Sequence, residues 1–213
     1  LNLQDSFVSG LSKDIIVQLY SELSPFIKKI KEMDESLIEN QLFKKAYFDF
    51  QKKFDKAMMI YKMIEKQPLI SPNYYLLYIF IGAIESFGNI IVNVLILLIV
   101  ANGKKFKLKN KKYSKMEDFE NKKKYVSLGE KLGFLKKHNI TVVNLGIDTE
   151  LRNSIAHLNF EIKENEIFVR NKPAINEVFV SMTKLMDITL NVSASLNMLA
   201  IQKGWIHPSL PKK

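Results

Sequence analysis

Residues 74 to 101 read YYLLYIFIGAIESFGNIIVNVLILLIVA, a run of 28 in which Glu85 is the only charged side chain. Such a run is long enough to cross a bilayer, which takes about 20 apolar residues. Its polar positions argue against lipid. Glu85, Asn89 and Asn93 recur at four-residue steps with Gly82 and Ser86 alongside, which gathers all five on one face of a helix. A carboxylate at the centre of a lipid-facing helix costs about 2.5–3.5 kcal/mol on insertion scales, and two asparagines add to that. No second run of this kind occurs, and the rest of the chain is amphipathic. The segment therefore reads as the buried helix of a soluble bundle, with a polar stripe lining a site. A membrane-anchored protein with its span at 74–101 is the competing expectation.

Outward from this helix the chain keeps helical spacing. With 213 residues, 47% apolar and 25% charged, it is long enough for one sizeable core or two small ones, and eight Gly and six Pro are few for a β-rich fold. The expected class is all-α, a helical bundle. Residues 11–33 read as one or two short helices, with Pro25 in the first turn after Ser24. Residues 35–66 form a stronger helix, because Phe43, Tyr47, Phe50, Phe54, Ala57, Tyr61 and Ile64 make one apolar stripe with lysines between. Pro68 and Pro72 break the segment Gln67–Asn73, which divides an N-terminal helical region, 1–72, from a second domain, 73–213.

After Gly103 ten lysines crowd residues 104–124, which reads as a mobile basic loop. Lys104, Lys105, Lys107, Lys109, Lys111 and Lys112 are its candidates for guiding a nucleic-acid backbone, against a plain solvated connector. Residues 123–138 follow as an amphipathic helix with Tyr125, Leu128, Leu132 and Leu135 on one side and His138 at its end, where a cation suits the helix dipole. His207, beside Trp205 and Pro208, is taken as structural too. Asp148 or Thr149 can cap a short helix from about Glu150 to Leu158. Then Phe160, Ile162, Ile167 and Val169 flank a polar Lys163–Glu166 turn, the mark of a small β-hairpin, and Pro173 opens a last helix to about Lys203.

A net charge of +10 and a pI near 9.5 favour a polyanionic partner such as RNA, DNA or an anionic membrane surface, although part of the basicity can be compositional bias. The absence of cysteine excludes disulfides and thiolate metal sites. With three scattered histidines and no Gly-rich phosphate loop, no metal and no cofactor are expected. Residues 1–10 lack the pattern of a secretory leader, and a start at Leu1 leaves room for native residues upstream; a cytoplasmic site is the expectation.

Lys and Arg together number 32, and only Arg152 and Arg170 are arginine. Arg152 stands five residues before His157 in the hexapeptide RNSIAH, residues 152–157. An arginine fork matches phosphate oxygens as a lysine does not, and histidine is the side chain best able to move protons near neutrality. On a helix Asn153 and His157 share a face, whereas Arg152 lies about 140° around from His157. One short helix holds such a pair poorly together, but two copies meeting at a twofold axis can line one cleft, which makes a homodimer the natural unit. The plainer alternative has Arg152 paired with Glu150 or another surface acid and His157 as a core imidazole.

The Arg-polar-x3-His pattern in a helical setting resembles the ribonuclease motif of HEPN domains, over roughly residues 73–205, while residues 1–72 carry no such likeness. The resemblance implies a helical bundle of HEPN type in which Glu85 and Asn89 face the site from the long early helix, and the hairpin after the motif helix resembles some members. It implies metal-independent cleavage of RNA by 2′-hydroxyl attack, with Arg152, His157 and Asn153 as the acting residues, and a role as a toxin or phage-defence effector held by an antitoxin or regulatory protein. A non-catalytic module of the same fold, binding RNA or a protein, is the alternative expectation.

Overall fold

The computed structural model describes residues 13–65, 72–108, 111–113, 119, 126–163 and 166–206. In chain order these form α1 (Lys13–Glu32), α2 (Ile38–Glu65), α3 (Pro72–Ala83), a π turn (Ile84–Gly88), α4 (Asn89–Ala101), β1 (Phe106–Leu108), β2 (Lys111–Tyr113), α5 (Leu128–Lys137), a 3-10 turn (Val142–Leu145), α6 (Thr149–Ala156), β3 (Glu161–Lys163), β4 (Glu166–Val169), β5 (Lys172–Pro173) and α7 (Ala174–Gln202). The chain is mostly helical, as the composition implies, with a small antiparallel sheet, β3-β4-β5, behind α6.

Helix α4 is central because past Asn93 its surface is apolar on every side. From Ile91 to Ala101 only Asn93 escapes full burial, the behaviour of a helix surrounded by protein. It packs on α1, α2 and α5, while α7 covers α1, α3 and the π turn. Leu77–Ala101 is long and apolar enough to cross a membrane, and 67% of its most apolar window is buried inside the protein. Leu19, Leu23 and Ile30 of α1 and Phe43, Tyr47 and Phe50 of α2 share one hydrophobic core with α4 and α7. Of the segment expected to divide the chain into an N-terminal region and a second domain, residues 67–71 lie outside the described residues. So do the side chains of Tyr61 and Ile64.

Two expected breaks are absent. Pro25 sits inside α1, which runs unbroken. A proline there removes one backbone bond at about 3 kcal/mol. Leu19, Leu23 and Ile30, buried on both sides of it, together outweigh that at about 1.5–3 kcal/mol each. The basic stretch after Gly103 is also not simply a loop: β1 and β2 pair antiparallel, with Lys107 opposite Lys112 and Leu108 opposite Lys111. Phe106 anchors this ribbon, buried edge-on against Phe119 and Phe134 at 5.1 and 4.6 Å.

Helix α5 begins at Leu128, later than the amphipathic pattern implies, because Ser127 and Glu130 form a reciprocal capping box. It ends on His138, whose ring meets Phe134 edge-on at 4.6 Å. Burial, and then the nearby Lys104, push the His138 pKa below the ordinary histidine value. Both effects disfavour the imidazolium form that would suit the helix dipole, and the ring's contact with Phe134 gives His138 the structural role expected of it. Its folded pKa lies below its unfolded one, so its contribution to stability is complete above about pH 6.5 and is lost as the pH falls below that. His138→Phe should flatten this part of the slope in melts taken on either side of that pH. A variant as acid-sensitive as the parent contradicts the assignment.

Candidate active site: the Arg152 cleft

The start of α6 is fixed from three sides. Asp148 is its N-cap, accepting from the Leu151 N–H at 2.8 Å. Arg170 donates to Asp148 at 2.9 Å and to Glu150 at 3.3 Å. Arg170 and Asn171 both take positive φ, 55° and 61°, and so form the tight turn between β4 and β5 that delivers this arginine. Upstream, Glu22 of α1 reaches across to the 3-10 turn and accepts from the N–H groups of Thr141 and Val142 at 2.8 and 3.0 Å. Gly146 then passes so close to α7 that a Cβ on it would stand 2.7 Å from Leu185 Cα.

This framework opens a cleft of about 700 Å3 between α6, α5 and the π turn. Glu85, Asn89 and Asn93 form one wall, Lys131 stands on α5, and Arg152 and Asn153 come from α6. The first residues of two helices, Leu128 of α5 and Thr149 of α6, also line it. In a regular helix a four-residue step drifts about 40°, so three polar side chains would spread over about 80°. The wide turn at Ile84–Gly88, braced by Ser86 Oγ donating to the Gly82 carbonyl at 2.6 Å, changes that phase at Glu85.

The polar groups form a connected chain. Arg152 Nη2 donates to Glu85 Oε1 in a short ion pair, and Arg152 Nη1 donates to Asn153 Oδ1 at 2.9 Å. Asn89 Nδ2 donates to the Glu85 carbonyl at 3.0 Å and to Glu85 Oε2 at 3.2 Å, while Asn89 Oδ1 accepts from Lys131 Nζ at 3.1 Å. Lys131 is 4% exposed. The Glu85 and Arg152 side chains are 44% and 29% exposed, and pairs so open to water contribute about 0–1 kcal/mol. Their contact is better explained by orientation than by stability. Arg152 Nε and Asn93 Oδ1 are buried with no hydrogen-bond partner among the described residues.

The expected site residues divide. Arg152, Asn153, Glu85 and Asn89 come together, and the partner of Arg152 is Glu85, not Glu150, which Arg170 takes. His157 is not in the cleft. Helix α6 stops at Ala156, His157 is its exposed C-cap at φ −101° and ψ 11°, and Leu158 follows at φ 58°. Lys104 and Lys105 are exposed ahead of β1; Lys107, Lys111 and Lys112 lie on the ribbon's strands; Lys109 and His207 lie outside the described residues. Sequence reasoning passed over Lys131 and Arg170. Only the Ser127–Glu130 capping pattern, which fixes where α5 starts and hence where Lys131 stands, could have flagged the former. A smaller hollow of about 160 Å3 on the other side of Glu85, Asn89 and Asn93 is completed by Asp49, Phe50 and Lys53 of α2.

Among the described residues no three His, Asp or Glu side chains converge as metal ligands. The cleft offers one carboxylate, two cations and three amides, a donor set matched to an anionic, hydrogen-bonding ligand. No family model, curated protein or solved structure matches the chain.

Proposed function

We propose that the protein is a metal-independent endoribonuclease of HEPN type that works as a homodimer, as a toxin or phage-defence effector. One observation carries the reading: Arg152, in the middle of α6, lines a polar cleft, while His157, the C-cap of the same helix, lies outside that cleft and is exposed to solvent. A single protomer offers a phosphate-binding fork without an imidazole beside it. A second copy related by a twofold axis brings its His157 to the first copy's Arg152.

In this mechanism imidazole takes the proton of a ribose 2′-hydroxyl, and the oxygen attacks the adjacent phosphorus. Charge builds on the phosphorane oxygens, where the Arg152 guanidinium meets it. Glu85 and Asn153 take one N–H each of Nη2 and Nη1 and so aim the fork, which leaves the second N–H of each nitrogen to meet a phosphoryl oxygen. The bond to the 5′-oxygen breaks as that oxygen gains a proton, leaving a 2′,3′-cyclic phosphate and a 5′-hydroxyl. Lys104, Lys105 and the β1–β2 ribbon supply sequence-independent attraction for the RNA backbone.

Mixing tests the composite site. Arg152→Ala and His157→Ala homodimers should each be inactive, whereas an exchanged mixture regains cleavage, because one of its two sites has Arg152 from one chain and His157 from the other. The regained activity should survive EDTA. A mixture as silent as its parents rejects the shared site. The exposed position of His157 favours a second reading, a non-catalytic module that binds RNA or a protein; RNA binding by the parent protein without turnover would select it.

A further inference from the structure

We propose that Lys131 is a positioning residue for Arg152, acting through Asn89 and Glu85. The inference rests on the reading of Arg152 as the group that meets phosphate. An ammonium has only donors, so the atom of Asn89 that faces Lys131 Nζ at 3.1 Å must be the amide oxygen. The amide nitrogen then points the other way, to the Glu85 carbonyl and Oε2. Glu85 alone leaves the amide free to pivot about its donated bonds, and the contact on the opposite atom removes that freedom. With Asn89 held at both ends, Glu85 Oε2 is fixed, and its other oxygen takes Arg152 Nη2. The relay starts on α5, crosses the wall formed by the π turn and α4, and ends on α6, so it ties together all the elements that frame the cleft. Lys131 is 4% exposed while Arg152 and Glu85 are open to water, so the buried end steadies the solvated one.

Arginine side-chain nitrogen NMR reads this without any cleavage. The chain has two arginines, and Arg170, held by Asp148 and Glu150, is the internal control. Lys131→Met keeps length and removes the donor. It should let the Arg152 guanidinium rotate roughly tenfold faster, the equivalent of losing about 1.4 kcal/mol of hydrogen bonding, with the Arg170 signal unmoved. Asn89→Leu removes the middle link and should release Arg152 to the same extent, which keeps the test decisive if Lys131→Met does not fold. In cleavage assays Lys131→Met should lower kcat with KM and salt dependence unchanged, and Lys131→Arg, again all donor, should restore kcat.

Unchanged Arg152 rotation in the folded variants overturns the proposal. So does a raised KM with a salt slope reduced by about 0.7, which would make Lys131 a direct phosphate contact. Released rotation in a protein that cuts no RNA leaves the relay standing and removes the ribonuclease. Cleavage that needs Arg152 and His157 but ignores Lys131→Met does the reverse.

Discussion

Arg152→Ala should lower RNA cleavage by about two to three orders of magnitude, the usual loss when one preorganised donor to a developing oxyanion is removed. His157→Ala should lose a comparable factor, about 100- to 10,000-fold for a general acid or base. Neither change should disturb folding much. Arg152 and Glu85 are partly solvated, and His157 is an exposed helix cap, so each substitution is expected to shift stability by about 1 kcal/mol or less. That separation gives the test its force: activity vanishes while the melting curve stays in place. Arg152→Lys distinguishes charge from shape, since a lysine keeps the cation but lacks the planar fork that faces Glu85, Asn153 and a phosphate in fixed directions at once. It should recover only a small fraction of the loss. Cleavage by Arg152→Ala and His157→Ala at the parent rate would remove the assignment.

Among the glycines of the described residues, Gly146 has the least room for a methyl group, and Gly146→Ala should be clearly destabilising. The added Cβ would stand 2.7 Å from Leu185 Cα, 2.8 Å from Leu185 N and 3.0 Å from Ile188 Cδ1. Two of those neighbours are backbone atoms of α7, so relief requires a shift of the chain and not a new rotamer. Overpacking of this kind costs about 1–3 kcal/mol. For a chain of this size that is about 2–4 °C in Tm per kcal/mol. The strain also falls two residues before the Asp148 cap of α6, so a displaced turn should move Arg152 and weaken RNA cleavage in protein that is still folded. A variant with unchanged Tm would show that α7 yields more easily than its packing suggests.

Where the sequence carried explicit punctuation, the fold was legible in it. Asp148 announces α6, the polar run Lys163–Glu166 announces the β3–β4 hairpin, and Pro173 caps α7. Where neighbours outvote local preference, it was not. Pro25 predicts a helix start and lies inside α1, because Leu19 and Leu23 before it and Ile30 after it are buried and hold the helix together. The end of α6 carries no glycine or proline, so nothing in the residues warns that Leu158 turns to positive φ and leaves His157 outside the helix. Lys131 is hidden by abundance: the capping pattern fixes its place on α5, but among so many lysines it is the tertiary packing that shows this one to be buried. The acidic partner of Arg152 was readable as a polar stripe on an apolar helix, since a lone carboxylate in such a run needs a counter-charge somewhere.

The π turn has a further consequence for how this protein can vary over time. Its extra residue is a matter of counting, since a helix with one residue fewer between Gly82 and Asn89 would still bury the same kinds of apolar side chains. Most exchanges of one aliphatic residue for another along this segment would leave the tally intact, and with it the place of Glu85. A deletion of one codon between Glu85 and Asn89 would leave the composition almost untouched and still carry the carboxylate around the helix relative to Asn89. Drift in this helix is therefore cheap by substitution and prohibitive by length.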